Sequence, residues 1–80
     1  MWMIIPFKIF LGEVLEIHTE LHDTIYEIKQ HIQQETGIAV KFIKLIYNKN
    51  GRDIELENRK KLRFYQYTPN TPVYIILPRA

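Results

Sequence analysis

The chain has 80 residues, 46% hydrophobic and 25% charged, with a formal net charge of +2. A chain this short makes one domain that buries only about 60% of its unfolded surface, and one this apolar is not intrinsically disordered. No apolar run approaches the ~18 residues of a membrane span, and the opening MWMIIPFKIF has no basic lead-in or small-residue cleavage site. The absence of cysteine excludes disulfides, thiol catalysis and thiolate metal sites. The expectation is a single intracellular domain spanning residues 1–80.

Residues 3–10 alternate as a strand with Ile5, Phe7 and Ile9 on one face. Gly12 then interrupts, and residues 14–19 alternate again, so the pair reads as a β-hairpin with Gly12 in the turn. Pro6 is awkward in a strand paired on both sides, because it has no N–H to give the ladder. It predicts a bulge, or a strand that begins only at Phe7.

The period then changes. Thr24 and Glu27 form a Thr-x-x-Glu capping box, Ile25, Ile28 and Ile32 fall at helical spacing, and Gly37 stands where a left-handed C-cap belongs. These signals predict a helix over residues 24–35, with Lys29 among the polar residues off the apolar stripe. Residues 41–47 are β-branched and aromatic and predict a third strand, followed by the turn signal Asn48-Lys49-Asn50-Gly51. Ile54 and Leu56 fit a short strand, and Leu62, Phe64, Tyr65 and Tyr67 lie in an ordered crossover. A turn over residues 68–72 leads to a closing strand at residues 73–77, stopped by Pro78. The predicted fold is α+β, a mixed sheet of four to five strands with one helix packed across it.

In this order and spacing the residues resemble the ubiquitin-like (β-grasp) family along nearly the whole chain. The similarity rests on Gly12 in the first turn, Asp23-Thr24-Ile25 at the helix start and Gly37-Ile38 after it. It continues through Lys44-Leu45-Ile46-Tyr47, Leu56-Glu57-Asn58, Leu62 with Tyr65, and Val73 to Ile76. The resemblance implies a core of Ile5, Phe7, Leu15, Ile17, Ile25, Ile28, Ile32, Ile38, Leu45, Leu56, Leu62, Val73 and Ile75. Tyr65 would be a buried tyrosine whose hydroxyl bonds the crossover backbone. The family also implies a eukaryotic protein of the cytoplasm or nucleus, in which an organelle or cytoskeletal assembly is a further setting.

The departures from the family bear on function. Conjugated relatives end in Gly-Gly, because their activating enzyme threads a slim, flexible carboxylate into a narrow channel. This sequence ends Leu77-Pro78-Arg79-Ala80, so the expectation is a member that is not conjugated, unless a longer precursor exists. The segment Lys49 to Asp53 reads as a loop about four residues longer than the family's.

Receptors of the family dock on an apolar triad drawn from three strands, and the matching positions here are Phe10, Ile46 and Ile76. All three are apolar, with Lys44 and Tyr74 beside them, which implies a partner-binding surface. The plainer reading is that they seal the sheet edge or pack against the tail. Trp2, Val40 and Phe42 are surplus to the core, so a partner covers them or local repacking does. His18, His22 and His31 lack a third ligand at metal spacing and read as surface histidines. The glycines are isolated, and Glu16, Glu20 and Asp23 are scattered in a chain without serine, so we expect no metal, no cofactor and no enzyme. The reading that follows is an adaptor or structural subunit bound through a Phe10/Ile46/Ile76 face. The alternatives are a modifier cut from a longer precursor, and a small basic nucleic-acid-binding module using Arg59, Lys60, Lys61 and Arg63.

Overall fold

The computed structural model describes residues 2–9, 14–68 and 71–76, with the side chains of Trp2 and Ile9 outside that description. Five strands form one sheet: β1 (Trp2–Ile9), β2 (Val14–Glu20), β3 (Lys44–Lys49), β4 (Arg52–Glu55) and β5 (Val73–Ile76). Their order is β2-β1-β5-β3-β4. β1 runs antiparallel to β2 and parallel to β5, and β3 runs antiparallel to both β5 and β4. The sheet is therefore mixed, as the α+β expectation requires. The predicted turn at Gly12 lies outside the described residues, as do Pro69, Asn70, and the tail from Leu77.

The helix α1 (Ile25–Thr36) starts and stops where its end signals place it. Thr24 Oγ1 accepts from the Glu27 amide at 3.2 Å, and the Glu27 carboxylate accepts from the Thr24 amide at 3.0 Å. This reciprocal pair satisfies two amides that a helix start otherwise leaves open. Gly37 closes the other end at φ 77°, a conformation that costs a side-chain-bearing residue more. The Ile25 and Tyr26 amides donate to the Lys60 and Asn58 carbonyls at 2.9 and 3.1 Å, so the crossover is pinned to the helix start.

The core lies between α1 and the inward face of the sheet. Ile5, Phe7, Ile17, Ile25, Ile28, Ile32, Leu45, Leu56, Leu62, Val73 and Ile75 are buried in it, while Leu15 and Ile38 pack half-buried at its margin. Ile43, Tyr47, Tyr65 and Tyr67 complete it. Tyr65 does what was expected of it: its hydroxyl accepts from the Glu57 amide at 2.8 Å. Tyr47 accepts from the Thr68 amide at 3.1 Å, and Tyr67 donates to the Thr71 carbonyl. Each buried phenol thus has a partner.

Four expectations need correction. Pro6 causes no bulge: β1 is continuous from Trp2, and Pro6 pairs one-to-one with Glu16. The strand tolerates it because the β5 ladder begins only at Phe7, so Pro6 has a neighbour on one side alone. Residues 40–42 do not join the third strand; they form a 3-10 turn held by Phe42 and Ile43 amides on the Ala39 and Val40 carbonyls. Strand propensity yields there because the chain must turn from the helix end back to the sheet. The segment read as an enlarged loop is a hairpin with a two-residue turn, in which Asn50 and Gly51 both take positive φ, 53° and 82°. Lys29, read as lying off the apolar stripe, is buried with it.

Candidate functional site

Alternation divides each strand between two faces. With Ile75, Val73, Leu45 and Tyr47 turned to the core, Tyr74, Ile76, Lys44 and Ile46 face away from the helix. Tyr74 is opposite Ile46 and Ile76 is opposite Lys44 across the β3–β5 pair. Lys8 of β1 pairs with Tyr74 on its other side, and Glu55 of β4 pairs with Ile46. One row, Lys8–Tyr74–Ile46–Glu55, therefore crosses four strands with an apolar centre between opposite charges. Ile46 is half-buried, whereas Tyr74 and Ile76 are 42% and 48% exposed. Lys8, Ile46, Asn48, Asp53, Tyr74 and Ile76 surround a shallow hollow of about 440 Å³.

The structure thus brings together Ile46, Ile76, Tyr74 and Lys44 of the residues singled out in the sequence. Phe10 lies outside the described residues, and so does the side chain of Trp2, which opens β1. Phe42 sits on the 3-10 turn, 49% exposed, so local packing leaves it open. The Lys41 ammonium lies 5.0 Å from its ring centroid, a cation–π contact. Val40 is partly covered. Ile76 borders a second recess, of about 360 Å³, together with Phe42, Lys44 and Lys29. Sequence reasoning missed Lys29 because of its charge: its position, four after Ile25 and three before Ile32, falls on the buried stripe, and that spacing was the signal that could have found it.

Burial lowers the pKa of the Lys29 amine from its ordinary value; Glu55 works against that shift, and Lys44 reinforces it. Lys44 itself lies 3.9 Å from the Glu55 carboxylate, an exposed pair of small energetic value.

The polar clusters are arranged as follows. His18 and His31 line a groove of about 700 Å³ between β2 and α1, with Glu16, Gln34 and Glu35. His22 is exposed beside Glu20, at 2.8 Å, and Asp23, at 3.9 Å. The turn before α1 therefore gathers Glu20, His22 and Asp23, which in the sequence looked dispersed, to within 4.8 Å of one another. Asp23 Oδ2 already accepts from the Thr19 hydroxyl and the Glu20 amide, each at 2.9 Å. That wiring accounts for the cluster as a turn lock. Of the basic residues Arg59, Lys60, Lys61 and Arg63, Arg59 lies 4.0 Å from Glu57, and Lys60 lies 4.3 Å from the Phe64 ring centroid. Two of the four are thus engaged with neighbours rather than presented as a continuous stripe.

A five-stranded mixed sheet with a parallel β1–β5 centre, one capped helix across it and a crossover pinned to the helix start defines a β-grasp domain. The family profile described as the ubiquitin family matches residues 5–77. The chain belongs to the ubiquitin family. No curated protein matches it.

Proposed function

We propose that this chain is a non-covalent protein-binding module, an adaptor or structural subunit of a larger complex. Its docking face is the outward side of β3 and β5, with Ile46, Tyr74 and Ile76 at the centre and Lys44 and Phe42 at the margin. Phe10 extends that face on sequence grounds, and Trp2, surplus to the core, is a further partner contact on sequence grounds. The observation that carries the reading is the register itself: apolar side chains stand directly and diagonally opposite on a face that no element of the fold covers among the described residues. Exposed apolar clusters rimmed by charge mark interfaces, and an aromatic in the cluster supplies an anchor.

Ubiquitin-family domains commonly serve in protein interaction, and this site offers contact area rather than reactive groups. The chain contains neither serine nor cysteine to act as a nucleophile. Its three glycines are isolated, so the sequence holds no Gly-Gly pair for the family's activating chemistry to use. Incubation with an activating enzyme, a carrier enzyme and ATP tests this part of the reading. No thioester is expected, and a thioester would turn the reading toward a conjugated modifier. The docking face is tested by comparing partner recovery with wild-type and Ile46→Asp protein.

A further inference from the structure

The recess beside the docking face has an unusual lining. Val40, Phe42, Ile43 and Ile76 supply apolar wall, while Lys29, Lys41 and Lys44 supply three amines against the single carboxylate of Glu55. The balance of these groups is three positive charges less one negative, or +2. Glu55 is 3.9 Å from Lys44. Among the described residues no hydrogen bond or ion pair within 4 Å reaches the Lys29 ammonium, although the residue is only 6% exposed. The stem of Lys29 is buried while its ammonium, partly desolvated and without a close counter-ion, opens into the recess. The other two amines are held at the rim: Lys41 leans over the ring of Phe42, and Lys44 stands opposite Ile76 in the ladder.

Ile76 borders both this recess and the Ile46–Tyr74 hollow, so the two are neighbours. We propose that the recess receives an acidic side chain of the same protein partner that seats on the Ile46–Ile76 face, its carboxylate held among Lys29, Lys41 and Lys44. The inference rests on the docking reading above and adds the partner's chemistry to it. The segment that binds carries an apolar residue for the hollow and, next to it, an aspartate or glutamate for the recess. The charge excess, the lysine without a close counter-ion and the apolar wall all favour a carboxylate on a peptide over a bare ion. The amines would receive the charge, and Phe42 and Val40 would cover the chain that carries it.

The test uses isotope-labelled protein and a blocked peptide of alternating leucine and aspartate, with its leucine–asparagine counterpart as control. The aspartate peptide is expected to shift the amide resonances of residues 42–44 and 76 and the Lys29 side-chain resonance, and to bind about tenfold more tightly than the control. The double variant Lys41→Gln/Lys44→Gln alters only exposed side chains and should reduce the aspartate peptide to the level of the control. Glu55→Gln removes the competing carboxylate and should tighten binding.

Equal binding of the two peptides, with shifts at Ile46 and Tyr74 only, would overturn the acidic recess and leave the docking face standing. Shifts at residues 42–44 without any at Ile46 and Tyr74 would keep the recess and sink the docking face. The absence of any shift at the lysines up to millimolar peptide overturns the proposal. Inorganic phosphate producing the same shifts as strongly as the peptide would also overturn it, by showing a general anion site.

Discussion

Ile46 and Tyr74 stand directly opposite each other across the antiparallel β3–β5 pair, on the face of the sheet turned away from the helix. Their immediate neighbours on the inward side, Leu45 and Ile75, are also opposite each other and are buried. The same ladder therefore fixes a core pair and a surface pair, one residue apart. A one-residue slip would exchange them. The inward pairs hold the register, and the register holds the outward apolar cluster in place.

The inward half of this relationship makes the core intolerant of charge. Ile28→Asp places an unpaired carboxylate in the centre of the helix–sheet interface, where Ile28 is fully buried, and the domain should unfold. Ile28→Ala should cost about 2–5 kcal/mol, measured by urea denaturation. A folded Ile28→Asp domain at neutral pH would contradict the placement of the helix.

The crossover depends on one phenol. Tyr65→Phe removes the acceptor of the Glu57 amide while keeping the ring, which meets Phe64 edge-on. The expected loss is about 1 kcal/mol, the net worth of a part-buried hydrogen bond. Hydrogen exchange at Glu57 should accelerate in the variant more than exchange at Ile28. Uniform acceleration would mean that the bond matters only to global stability.

The helix start gives a smaller effect. Thr24→Ala deletes the hydroxyl half of the capping box and should cost about 1 kcal/mol. Thr24→Ser should restore most of it. Equal stability of the alanine and serine variants would show that the Lys60 and Asn58 carbonyls alone secure the first helical amides.

Tyr67 predicts an alkaline weakness. Burial is the main reason its phenol is pushed up to about 12, and the neighbouring Tyr47 adds to the shift. The folded state thus favours the protonated form. Its contribution is complete below the unfolded value near 10 and is lost as pH rises from about 10 towards 12. Wild-type protein should lose on the order of 1–2 kcal/mol across that window relative to Tyr67→Phe, compared by urea midpoints at each pH. Parallel pH profiles for the two proteins would refute the account.

Much of this fold is written locally in the chain. Thr24, Glu27 and Gly37 mark both helix ends, and Asn50-Gly51 marks the hairpin, because each feature is decided by residues within one turn of it. Residues 40–43 are different: their composition favours a strand, but the route from helix to sheet decides their conformation, and no local signal encodes a route. The candidate face is similarly divided. Ile46 and Ile76 are found through family likeness alone, and the parity of the two strands then places them on one face. Lys29 is not found, because its charge sets it among the polar residues although its spacing from Ile25 and Ile32 places it on the buried stripe of the helix.

The central claim is that the outward face of β3 and β5 docks a protein partner. The most direct test is quantitative recovery of bound proteins from the organism's own extract by wild-type, Ile46→Asp and Ile76→Asp domains, each first checked for native circular dichroism. Ile76→Asp is placed opposite Lys44 and should fold without penalty, whereas Ile46→Asp lies opposite Glu55 and should fold with a loss of about 1 kcal/mol. The account predicts a protein recovered by the wild type at least about tenfold more than by either folded variant, the size of effect expected when a central contact is lost. Equal recovery of the same proteins by all three folded domains would contradict it.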